Sequence, residues 1–115
     1  MEEKDTTLND YQRIANSTAI YPGKGKVDGV VYCALGLGEA GEVQNKVKKI
    51  LRDHNGTIPP AVCQELVGEL GDLLWYCAQM ATELGINFDE VAGANIKKLK
   101  SRKERNTLQG SGDKR

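Results

Sequence analysis

The chain carries an acidic, glycine-flanked pentapeptide twice, as Gly38-Glu39-Ala40-Gly41-Glu42 and as Gly68-Glu69-Leu70-Gly71-Asp72. In each copy two carboxylates stand three positions apart, which on a helix puts them on one face with Cβ atoms roughly 5–6 Å from each other. Two such helices laid side by side gather four acids at one place. Burying those anions unpaired is prohibitive, so they protonate or find a cation. The repeat therefore demands neighbouring helices and points to a metal-dependent enzyme.

Apolar spacing predicts four helices, and no strand pattern alternates convincingly, so the class is all-α. The first helix covers about residues 7–19, with Leu8, Tyr11, Ala15 and Thr18 on one side, and stops at Tyr21-Pro22-Gly23. After a Gly/Lys connector, Asp28 is the expected N-cap of a second helix over about residues 30–51. That helix ends in the turn Asp53-His54-Asn55-Gly56. Thr57 is the expected cap of the third, Pro59-Pro60 fits its first turn, and Gly85 closes it after Leu84. Asn87 and Glu90 resemble a capping box for the fourth, which runs to about residue 105. Residues 1–108 read as one domain and 109–115 as a flexible tail. Gly36, Gly38, Gly41, Gly68 and Gly71 each cost about 1 kcal/mol in a helix interior. Their concentration beside the acids implies close backbone approach, or space left for ligand and water.

A chain of 115 residues has room for one core. With one Trp, one Phe and four Tyr, aliphatic residues must fill it, including the line Val62, Leu66, Leu73, Cys77, Met80 and Leu84. Small helical chains often complete such a core by self-association, so a homodimer or homotetramer is expected. Sixteen basic residues balance sixteen acidic ones, so no global field recruits nucleic acid or an anionic membrane. Cys33, Cys63 and Cys77 lack C-x-x-C spacing and read as buried free thiols, which suits a reducing compartment. The acidic start, Met1-Glu2-Glu3-Lys4-Asp5, lacks the apolar stretch of a signal peptide, and no segment has the length of a membrane span. A cytoplasmic location is expected.

Glu65, Glu69, Asp72 and Tyr76 form one stripe on the third helix, and Glu39, Glu42 and Lys46 form another on the second. Hard oxygen donors favour Mg²⁺ or Mn²⁺ over zinc. A di-iron bundle would add Glu-x-x-His pairs, but the one histidine, His54, falls in a turn. Two hard cations about 3.5–4 Å apart could activate a water and stabilise the charge of a phosphoryl displacement.

These residues resemble the MazG-type nucleotide pyrophosphohydrolases of the all-α NTP pyrophosphatase superfamily. The hallmark is E-x-x-E on one helix and E-x-x-D on the next, here Glu39/Glu42 and Glu69/Asp72. The strings Leu35-Gly36-Leu37-Gly38-Glu39-Ala40-Gly41-Glu42-Val43, Glu69-Leu70-Gly71-Asp72-Leu73-Leu74-Trp75-Tyr76 and Asn95-Ile96-Lys97-Lys98-Leu99 are also similar to family segments. Similarity extends over about residues 8–105. The resemblance implies a four-helix MazG-like bundle that hydrolyses a nucleoside triphosphate, a dNTP or a modified NTP, to the monophosphate and pyrophosphate. Mg²⁺-assisted water attack at the α-phosphorus is the implied chemistry. Glu39, Glu42, Glu69 and Asp72 would be the catalytic metal ligands, one of them helping to deprotonate the water. Gly38 and Gly68 stand where many members carry a further acid, which thins the outer carboxylate shell.

The resemblance also assigns phosphate contacts to the fourth helix, where Asn95, Lys98 and Arg102 share a face. Trp75 reads as packing, Tyr76 as a substrate contact, and Tyr11 or Gln12 could stack on or read a base. Two other classes compete. One is a non-catalytic, metal-stabilised helical protein that binds nucleotide or a partner. The other is a nucleic-acid module on the basic fourth helix, which net neutrality and the lack of interleaved aromatics disfavour.

Overall fold

The computed structural model describes residues 6–115; the acidic start, Met1 to Asp5, with its expected lack of a signal stretch, lies outside the described residues. All four predicted segments are helical, and among the described residues there is no strand. α1 (Leu8–Ser17) opens with a capping box: the Thr7 hydroxyl accepts the Asp10 N–H at 3.1 Å, and the Asp10 carboxylate accepts the Thr7 N–H at 3.4 Å. Left-handed turns at Gly23 and Gly25 (φ +77° and +85°) then lead into α2 (Val27–Gly36). Its N-cap is Lys26, so Asp28 lies in the first turn and is not the cap.

The predicted second helix is divided. α2 gives way to a 3₁₀ turn, Leu37–Glu39, before α3 (Ala40–Asp53). Gly36, Gly38 and Gly41 weaken the α preference here. The backbone stays right-handed helical through the join, so the chain tightens without breaking.

α4 (Pro60–Glu83) packs against every other helix. Pro59 is its N-cap and Pro60 its first residue, while the Thr57 hydroxyl donates to the His54 carbonyl and caps nothing. Gly85 (φ +73°) ends it as expected. The positions buried on α4 are Ala78, Gln79 and Ala81. The expected core line is half-buried at Val62, Leu66, Leu73 and Met80 and exposed at Cys77 and Leu84. Small alanines allow close helix approach, so the tightest contact lies beside the line of large residues. Likewise Cys33 is buried but Cys63 and Cys77 are exposed, against the expectation for all three.

α5 (Phe88–Glu104) has Asn87 as N-cap, but the Asn87–Glu90 box does not close. Residues of α1 take its place: Gln12 Oε1 accepts the Phe88 N–H at 2.9 Å and Asn9 Oδ1 the Asp89 N–H at 3.0 Å. The Gln12 amide also donates to Thr82 Oγ1 and the Ile86 carbonyl. Gln12 is thus a tertiary cap, which accounts for its amide without a base to read.

Two small clusters make the core. Ala15, Ala78, Ala81 and Phe88 form one, and Ala19, Tyr21 and Cys33 the other, with Trp75 packed against both. Glu83 ties the connector to α4 by accepting the Tyr21 hydroxyl and the Gly25 N–H. A compact monomer of 12.6 kDa would expose about 6,200 Å². This chain exposes 8386 Å². Its radius of gyration is 17.0 Å, against about 13 Å for a compact domain of this length. No described helix is long and apolar enough to cross a membrane.

Candidate metal centre

The 3₁₀ turn delivers Glu39 and the middle of α4 delivers Glu69 and Asp72. Each offers one carboxylate oxygen, and the three oxygens lie within 4.8 Å of one another. Glu39 and Glu69 are half-buried and Asp72 is exposed, so the set sits at the mouth of a groove between the two elements. Three hard anionic donors at this spacing fit one small divalent cation after slight contraction, with open positions left for water or phosphate oxygen. Glu42, exposed on the first turn of α3, is not one of the three.

A cleft of about 420 Å³ adjoins the acids and is lined by Thr18, Glu39, Asp72, Trp75 and Tyr76. Tyr76 stands edge-on to Trp75 with ring centroids 5.2 Å apart, and its own ring covers Gly36. Burial, then Tyr32 and Glu39 nearby, push its phenol above the ordinary value. The Trp75 indole donates to Thr18 Oγ1 at 2.9 Å. The cleft therefore pairs carboxylates with an aromatic wall, a combination suited to a phosphorylated ligand with a flat ring.

The model of the MazG nucleotide pyrophosphohydrolase domain covers residues 32–107, which include the 3₁₀ turn and all of α3, α4 and α5. The chain belongs to the MazG family. It is also 50% identical over 109 residues to the Gene 37 protein of Mycobacterium phage L5, across 91% of this chain and 96% of that protein. No solved structure matches.

Within the MazG domain, Asn95, Lys98 and Arg102 do not line the acidic cleft of the same chain. Asn95 is exposed on α5. The Lys98 ammonium pairs with the Asp113 carboxylate at 2.8 Å, and Arg102, buried, donates to the Asp113 carbonyl at 2.6 Å and its carboxylate at 3.3 Å. The Lys98 hydrogen bond, with help from Arg102, holds the Asp113 carboxyl below its usual range. Two cleft residues went unread as such in the sequence. In the sequence Thr18 reads as part of the packing side of the first helix and Trp75 as core, and both also line the cleft: an indole long enough to reach from core to cleft looks like any core aromatic in a helical pattern.

Proposed function

We propose that the protein hydrolyses a nucleoside triphosphate, a dNTP or a modified NTP, to the monophosphate and pyrophosphate. The observation that supports this most is the convergence of Glu39, Glu69 and Asp72 from two elements beside an aromatic-walled cleft. These three would hold the divalent cation, Mg²⁺ by preference and Mn²⁺ as a substitute, with Glu42 as an outer ligand reached through water. A cation there supplies charge neutralisation for the phosphates and acidifies a bound water. Tyr76 lies against the nucleoside, and Asn95, Lys98 and Arg102, which lie away from this cleft in the same chain, would meet the phosphate tail from a second copy in the homo-oligomer. A carboxylate of the cluster accepts the proton of the water that attacks the α-phosphorus. The bond from that phosphorus to the β-bridging oxygen breaks and pyrophosphate leaves. We further read the working form as a cytoplasmic homo-oligomer, a dimer or tetramer.

The test is a panel of deoxy-, ribo- and modified nucleoside triphosphates with MgCl₂ and resolved products. Monophosphate with pyrophosphate is expected. Diphosphate with orthophosphate, or no turnover of any member, would overturn the reading.

A further inference from the structure

One cation from α3 reaches the edge of the acidic cluster. The Lys46 ammonium stands 3.5 Å from Glu65 Oε2 and 3.9 Å from Glu69 Oε1, and the Lys46 side chain is only 27% exposed. Glu69 is thus shared. One of its oxygens lies within reach of an ion held with Glu39 and Asp72. The Lys46 ammonium that neighbours Glu69 is drawn also to Glu65. We propose that Lys46 is a positioning residue that takes the place of a second metal ion, so that the centre holds one divalent cation between Glu39, Glu69 and Asp72. This rests on the reading of those three residues as a metal centre.

The argument is one of charge and space. A two-metal clamp sets its ions about 3.5–4 Å apart. A second ion beside Glu69 would need a further carboxylate, and Glu65, which shares Lys46 with Glu69, already faces a compact ammonium point charge. At 3.9 Å Lys46 makes an ion pair with Glu69 and not a hydrogen bond, so the Glu69 lone pairs stay free for a metal. The lysine therefore places its charge beside Glu69 without occupying the Glu69 lone pairs. It also repels a nearby dication, and even at the dielectric constant of water a unit charge a few ångströms from a double charge weakens binding by about tenfold.

Titration of Mn²⁺ into the full chain without nucleotide, followed by the paramagnetic resonance signal of the free ion, tests this without reference to turnover. Wild type should bind one ion per chain. Lys46→Gln should bind the first about tenfold more tightly and take up a second, whereas Lys46→Arg, which keeps the charge, should stay at one. Helical circular dichroism checks the fold of each, and Lys46→Met replaces the glutamine variant should that one lose its helical signal. Two ions on wild type, or a single ion on the charge-removed variant, would overturn the role of Lys46 and leave the metal centre standing. No Mn²⁺ bound to wild type would overturn both.

Discussion

A methyl group added at Gly36 would fall inside the Tyr76 ring, whereas one added at Gly38, Gly41, Gly68 or Gly71 would meet nothing within 4 Å. Similar glycines therefore have different reasons. Gly36 is there for close approach, and Gly36→Ala should destabilise the fold by about 1–3 kcal/mol and displace Tyr76, measured by urea unfolding and tyrosine fluorescence. Gly38→Ala should be neutral or stabilising by up to about 1 kcal/mol in the same assay. The carboxylates divide in a comparable way. Mn²⁺ should raise the melting temperature, because a ligand of the folded form stabilises it. Glu69→Gln should remove most of that rise, and Glu42→Gln should leave the greater part of it. Equal loss in both would place Glu42 in the inner set. Spacing alone predicted four acids at one place, whereas the structure brings together Glu39, Glu69 and Asp72 and leaves Glu42 apart. Glu42 lies exposed on the first turn of α3, and its oxygens fall outside the shared set.

At the scale of elements, helix existence was legible and helix ends were less so. Apolar spacing set α1, α4 and α5 to within a few residues, because one face of each must meet a neighbour. Caps depend on which acceptor arrives first, and that can be tertiary. α5 has a good local candidate in Asn87, yet Gln12 and Asn9 of α1 take its first N–H groups. Gln12→Ala should leave the Phe88 N–H without its acceptor and cost about 1–3 kcal/mol, with hydrogen exchange quickening first at the start of α5. At the other end of α5, Asp113 holds Lys98 and Arg102, the cations proposed to meet phosphate. Its lowered pKa means the clasp persists above the ordinary carboxylate range and is lost as pH falls through the lowered value. Near neutral pH the carboxylate competes with phosphate for the same cations. Asp113→Asn should therefore lower KM for the triphosphate and leave kcat unchanged. An unchanged KM would separate Lys98 and Arg102 from the substrate.

For the whole molecule, exposed apolar side chains accompany the excess surface and the large radius of gyration, and α4 carries an ordered set of them. Val67, Leu70 and Leu74 on α4 are 56%, 55% and 39% exposed, and they recur at steps of three and four along one face. Gly71 interrupts that stripe with open space above it, and Val31 and Leu35 expose further apolar area on α2. Apolar side chains exposed along one helix face suit association with a second copy, and this stripe is the face we propose for the homo-oligomer. The sequence led to an expectation of self-association from chain size and helical class, but gave no sign of which face would serve. That depends on the register of α4 against its neighbours, where alanines and not leucines are buried. The expected outcome is a dimer or tetramer by sedimentation velocity at micromolar concentration, with a melting temperature that rises with protein concentration. Leu70→Lys should shift the chain toward monomer and lower its melting temperature, because a charge in a buried apolar contact must be desolvated without a partner. A wild-type monomer with a concentration-independent melting temperature would show that the α4 stripe tolerates water, and the proposed homo-oligomer would fall with it.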